Sequence, residues 1–281
     1  MRRVVAALLA LAVRRVASLR TPIIAGNWKM NPATLADARL LASKLAVEGA
    51  AEVVIFPPTP FMSAVADCLS VSGEPVDFGA QDAYCVADKG AFTGAVSCPQ
   101  LKSVGCAYVL CGHSERRTEK GDDADDSYGD SDFDVNVKVA RTLAAGLKAM
   151  VCVGESVEEK DQGITADVCR LQLTKALFGV EEQAMQNVVV AYEPIWATGT
   201  GVLCPSRDAQ AVHAYLRQSL AGLYGANVAR ETRILYGGSV TPDNVDDIMA
   251  RADIDGVLVG GASLDAAAFN KIVAFTPTQS S

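Results

Sequence analysis

Three side chains of complementary chemistry stand at or just beyond the ends of three apolar runs. Lys29 supplies a cation after Ile23-Ile24-Ala25-Gly26, in the stretch Asn27-Trp28-Lys29. His113 supplies an imidazole after Ala107-Tyr108-Val109-Leu110, in Cys111-Gly112-His113-Ser114-Glu115. Glu193 supplies a carboxylate directly after the run Val188 to Tyr192. A carboxylate and an imidazole can move protons near neutral pH, and a cation can offset developing negative charge. Each residue alone also has a plain reading. Lys29 would be a surface lysine, His113 would cap a turn, and Glu193 would pair with an arginine. His213, in Ala211-Val212-His213-Ala214, sits mid-helix and is expected to be structural.

Two glycine-rich turns accompany them, Gly237-Gly238-Ser239 and Gly260-Gly261. Bare backbone amides can approach a phosphate closely, and a helix start behind them adds a favourable dipole. The chain has neither a Walker A motif nor a GxGxxG after a strand. The anion expected at these turns is therefore part of a small substrate rather than a nucleotide.

The elements that must position these groups follow a repeating pattern. Eight short apolar, β-branched runs begin at Ile23, Val53, Val76, Ala107, Ala149, Val188, Arg233 and Gly256. Runs of this kind suit parallel strands buried on both faces. Helical spacing appears between them, at 34–48, 166–178 and 206–223. Another helix is expected after Thr241 as N-cap, opening on Pro242-Asp243-Asn244. Eight strands alternating with helices predict an α/β fold, a (β/α)8 barrel in a single domain, more readily than an open sheet. In such a barrel the chemistry lies at the C-terminal ends of the strands. Lys29, His113, Glu193 and both glycine turns all fall on that rim.

Composition sets the outer bounds. The chain has 281 residues, half of them hydrophobic, with a net charge of -8. A nucleic-acid surface is disfavoured by that charge, although a local basic pocket for a small anion is not. The eight cysteines form no CxxC pair and mostly lie in apolar runs, which suits buried, reduced thiols and a cytoplasmic location. Residues 1–20 hold five arginines, no acid and the apolar run Val4 to Val13, too short to span a bilayer. They read as an extension outside the fold, with a targeting role left open. The barrel is assigned to 21–275 and a short tail to 276–281. Within the acidic stretch 119–134, Asp130, Asp132 and Asp134 copy the first spacings of a calcium loop. Val135 stands where that loop needs glycine and Arg141 where it needs an acid, so no metal site is expected. The later acids instead suit a helix N-terminus.

Five ordered motifs carry a resemblance. "GNWKMN" (26–31), "CGHSERR" (111–117), "AYEPIWATGTG" (191–201), "YGGSV" (236–240) and "GVLVGGASL" (256–264) closely resemble triosephosphate isomerase. The likeness spans roughly residues 21–275. It implies a TIM barrel that interconverts dihydroxyacetone phosphate and D-glyceraldehyde 3-phosphate through an enediolate, in glycolysis and gluconeogenesis, without metal or organic cofactor. The resemblance casts Glu193 as base, neutral His113 as hydrogen-bond donor, and Lys29, assisted by Asn27, as the positive charge. Glu115 would hold Lys29 before substrate arrives. The phosphate would meet Gly199, Ser239, Gly260 and Gly261. A mobile lid would comprise Pro194, Ile195, Trp196, Ala197, Thr198, Gly199, Thr200 and Gly201, latched by Tyr236 and Ser239. Thr93 would reach across a homodimer interface to brace the neighbour's site. No nucleic-acid or membrane partner is implied.

Three departures from the family pattern stand out. The second lid hinge is Val202-Leu203-Cys204 where Lys-Thr-Ala is usual. Gln81-Asp82 and Thr93-Gly94-Ala95 replace "QN" and "TGE", and 118–127 looks like an acidic insertion. Two rival readings remain at this stage, another phosphate-binding barrel enzyme and a degenerate barrel used for binding. A Schiff-base aldolase needs a lysine at a late strand end, and none stands after strands five to eight. A degenerate barrel predicts losses among Lys29, His113 and Glu193, and all three are present.

Overall fold

The computed structural model describes residues 20–84, 86, 88–117, 129–198 and 202–276. Eight parallel strands form a closed barrel: β1 (Ile23–Asn27), β2 (Glu52–Phe56), β3 (Val76–Ala80), β4 (Tyr108–Cys111), β5 (Lys148–Val153), β6 (Val188–Tyr192), β7 (Arg233–Tyr236) and β8 (Gly256–Val259). Closure is by β8 against β1, with Ile24 opposite Val257. The expected runs became strands because both faces are covered along nearly their whole length, Asp77 on β3 being the exposed exception. Ala25, Val54, Leu110, Met150, Val189 and Leu258 fill the interior. Ile24, Val53, Val109, Val151, Val190 and Val257 pack outward beneath the helices. Burying each large aliphatic side chain stabilises by roughly 1.5–3 kcal/mol, so a polar residue at one of these buried positions would be costly.

Gly79 shows how tightly the interior is filled. A Cβ there would lie 2.4 Å from the Phe56 ring and 2.8 Å from the Tyr108 carbonyl oxygen. The floor of the barrel is closed by charge. Glu52 accepts from the Tyr108 hydroxyl, from Lys148 Nζ at 2.9 Å and from Arg233 Nη1 at 2.5 Å. Burial pushes the Glu52 carboxyl up, but these three donors and the Arg233 charge outweigh it and hold the group at about 2. Arg20, read from sequence as part of the extension, is fastened to this end, with Nε 2.5 Å from Asp255 Oδ1.

The helices depart from expectation at their ends. The first spans Leu35–Ala42, and Thr34 caps it by accepting the Asp37 N–H at 3.2 Å. Apolar spacing continues to Leu45, but three-residue turns take over after Ala42, closed by Lys44 N–H to Leu41 O and Leu45 N–H to Ala42 O. Leu45 is buried through a turn, so its spacing imitated helix. The helix after β5's connection is Thr165–Ala176. The one predicted at 206–223 runs as Ser206–Glu231, interrupted at Gly225 with φ 86° and ψ 167°. Thr241 does not cap the next helix, which is Val245–Met249. Asn244 occupies the cap position, and its side chain instead folds back to accept the Thr241 N–H at 2.8 Å. The acids after Gly129 do serve a helix start. Ser131 and Asp134 form a reciprocal capping box on Asp132–Ala144. Asp130 bonds Lys138 Nζ at 2.6 Å and Asp132 bonds Arg117 at 2.9 Å, so both are committed to cations. The inserted segment 118–127 lies outside the described residues. No helix among the described residues is long and apolar enough to cross a membrane.

Candidate active site

The C-terminal rim encloses a cavity of about 310 Å³ walled by Asn27, Lys29, His113, Glu193, Thr198, the 237–241 turn and Gly260–Ala262. A larger cavity of about 580 Å³ opens at the strands' starting end, between Met185, Val228 and Arg233. Among its lining residues there is no imidazole beside a buried carboxylate, so chemistry rather than size selects the rim.

Asn27 ends β1 and is buried. Its Oδ1 accepts the Lys29 N–H at 3.0 Å. Lys29 adopts φ 53°, a conformation a side-chain-bearing residue rarely takes. Gln81 fixes it there, with Nε2 donating to Lys29 O at 2.7 Å and to Phe56 O at 2.8 Å. Such strain persists only where surrounding bonds over-determine it. The result is a lysine stem that emerges from the β1 end into the cavity. Its Nζ bonds Glu115 Oε1 at 2.8 Å. Glu115 is nearly half exposed, so this pair is weak and separable.

His113 follows Gly112, whose φ of 73° turns the chain out of β4. The His113 Nδ1 accepts the Glu115 N–H at 3.1 Å. A neutral ring accepting at Nδ1 carries its one proton on Nε2. That Nε2 lies 3.2 Å from Glu193 Oε1. The other Glu193 oxygen, Oε2, accepts the Ser114 N–H at 2.9 Å. Glu193 is 2% exposed. Its backbone N–H is held by Val153 O at 2.8 Å, which continues the β5–β6 ladder one residue past the strand. Gly237 makes room for it, since a Cβ there would stand 2.8 Å from Glu193 Cγ.

The stretch after Glu193 is fastened at its start. Ile195–Ala197 form a 3₁₀ turn. Trp196 Nε1 donates to Glu155 Oε1 at 2.7 Å, and the same oxygen accepts the Tyr192 hydroxyl at 3.1 Å. Lys160 Nζ sits 4.3 Å from the Trp196 ring centre. Thr198 Oγ1 donates to Pro194 O at 3.0 Å. Gly199, Thr200 and Gly201 lie outside the described residues. Beyond them, Val202 and Leu203 are exposed and Cys204 is buried. Burial, with the nearby Asp208 and Glu155 charges, pushes the Cys204 thiol up to about 11. The Tyr236 hydroxyl lies over Gly238, 2.1 Å from where a Cβ would be. Ser239 O accepts from Asn244 Nδ2 at 2.9 Å.

Lys29, Asn27, His113, Glu193, Ser239, Gly260 and Gly261 are thus brought together, with Glu115 at the edge. Thr93 is not; it is exposed on the loop that follows Tyr84 and is absent from this chain's cavity lining. His213 is fully buried with Nδ1 3.3 Å from Asp253 O, and burial drives it down to about 3, in keeping with a structural role. The seven described cysteines are free thiols, six of them buried. Gln81, Ser114 and Glu155 were not singled out as site residues from sequence. Glu155 carried a signal, an acid one residue past Gly154 at the end of β5. Gln81 acts on backbone carbonyls and Ser114 acts through its own amide, so neither carried one.

A closed parallel barrel with a carboxylate, an imidazole and a lysine around a glycine-walled cavity defines an enzyme of the (β/α)8 barrel class. The triosephosphate isomerase family model matches residues 22–276. A triosephosphate isomerase of Chloroflexus aurantiacus is 47% identical over 258 residues, covering 91% of this chain and 99% of the relative. One from Roseiflexus sp. is 44% identical across 93% of this chain and 100% of the relative. One from Moorella thermoacetica is 45% identical across 91% and 98%. The chain belongs to the triosephosphate isomerase family.

Proposed function

We propose that the chain interconverts dihydroxyacetone phosphate and D-glyceraldehyde 3-phosphate, with Glu193 as the base that moves the proton between adjacent carbons. The observation that carries this reading is the Glu193–His113 contact of 3.2 Å beside Lys29. Removing a proton next to a carbonyl develops negative charge on oxygen, so the base needs donors aimed at that oxygen. His113 Nε2–H and Lys29 Nζ are those donors, and Asn27 fixes the lysine's backbone. Glu193 accepts the Ser114 N–H and exchanges that bond for the substrate carbon. Lys29 exchanges Glu115 for the substrate.

The phosphate sits against the amides of Ser239, Gly260 and Gly261, and Gly199 joins when the lid 194–201 closes. Tyr236 and Ser239 latch the closed lid. Closure excludes water, which strengthens these interactions and keeps the enediolate from eliminating phosphate. Release of Trp196 from Glu155 is the step that frees the first hinge. The enzyme works as a homodimer in the cytoplasm, with Thr93 bracing the neighbouring site. A coupled assay with each triose phosphate tests the reading. Purified chain must equilibrate the two, and failure to do so removes it.

A further inference from the structure

Arg117 joins three elements around His113. Its Nε donates to Gly112 O at 2.7 Å, the carbonyl of the peptide that carries the His113 N–H. Its Nη2 donates to Cys152 O at 3.2 Å, on β5. Cys152 pairs with Ala191 on β6, two residues before Glu193. Its Nη1 donates to Asp132 Oδ1 at 2.9 Å, and Lys175 Nζ holds the other oxygen of Asp132 at 2.9 Å. The Arg117 side chain is only 11% exposed. Gly112 gives it room, because a Cβ there would lie 2.9 Å from Arg117 Nε and 2.6 Å from a Val135 methyl.

A guanidinium is planar, and its donors point in fixed directions. Two of its arms here span from the His113 peptide to the strand beside that of Glu193. The third arm, through Asp132 and Lys175, fixes the plane of the fork. We infer that Arg117 is a positioning residue that sets where His113 Nε2 stands relative to Glu193. It touches neither the cavity nor the reacting atoms. The inference rests on the reading of His113 as the group that faces the substrate oxygen. A misplacement of about 1 Å at such a group can cost on the order of 100-fold in rate.

The chain has only two histidines, His113 and buried His213, so imidazole ¹⁵N spectra report each separately. The full chain labelled at histidine should show His113 with a bare Nδ1 and a protonated Nε2. In Arg117→Gln and Arg117→Lys the His113 pattern should change while that of His213 stays native. Lysine keeps the charge but loses the fork, so it should not rescue. Turnover should fall roughly 10- to 100-fold with KM within about 3-fold. Native His113 signals and native turnover in a variant with native His213 signals overturn the inference. If the Arg117 variants lose the His213 signals too, Asp132→Ala decides. It removes the outer acceptor that Arg117 shares with Lys175, and a native His113 pattern there overturns the inference. A changed His113 pattern with unchanged turnover instead refutes the role given to His113 and leaves the positioning intact.

Discussion

Glu193 Oε1 lies 3.2 Å from His113 Nε2, and Glu193 Oε2 is held by the Ser114 N–H at 2.9 Å. Both carboxylate oxygens are therefore engaged, and the reach of this carboxylate into the cavity is set by the length of its side chain. Glu193→Asp draws the carboxylate back by about one methylene. Turnover should fall by about 100-fold or more, because near-attack geometry is lost while the phosphate contacts remain. KM should change little. Steady-state kinetics in both directions check this, and near-normal turnover would remove Glu193 as the base.

Lys29 has its backbone locked by Asn27 and Gln81, so replacing its side chain should leave the fold in place. Lys29→Met should lower kcat/KM by roughly 100-fold or more, about 2.7 kcal/mol, as one charged donor to the oxyanion is lost. Circular dichroism should stay unchanged. An unaltered kcat/KM would sink the role given to this cation.

Glu52 is a carboxylate whose folded value, about 2, lies below its ordinary one of 4.5. Its stabilisation is therefore complete above pH 4.5 and fades as pH falls from there towards 2. With its side chain 22% exposed, the contribution is on the order of 2 kcal/mol after allowance for screening. Urea midpoints measured from pH 7 down to pH 3 should fall, and Glu52→Gln should flatten that acid limb. An equally steep limb in the variant would show that other carboxylates control it.

Gly79→Ala would place a methyl 2.4 Å from the Phe56 ring inside the barrel. Overpacking of this kind costs about 1–3 kcal/mol. Thermal unfolding should shift down by several degrees, with the remaining activity at low temperature near normal. A neutral substitution would mean that Phe56 can turn aside.

The barrel was legible because most strands are buried on both faces, and that burial writes an apolar run into the sequence, broken in β3 by the exposed Asp77. Lys29, His113 and Glu193 were legible for the opposite reason, as polar residues at the ends of such runs. Glu155 and Gln81 were not read as site residues. Their partners Trp196 and Lys29 lie 41 and 52 residues away, and no local pattern links them. Arg117 is hidden in the same way, since its three bonds go to two carbonyls and one acid on different elements. Thr241 misled because a threonine before Pro242-Asp243-Asn244 has the right chemistry for a cap. The asparagine three residues on won the position. Leu45 misled because a turn can bury an apolar side chain at helical spacing.

Glu115 meets its two neighbours through different parts of itself. Its amide fixes the proton of His113, and its carboxylate tethers Lys29. The first contact survives any replacement except proline, whereas the second needs an acid. The same carboxylate lies 3.8 Å from His113 Nδ1, so a neutral residue at position 115 would free the lysine and also remove a negative charge from beside the histidine, while leaving the amide bond to the ring in place.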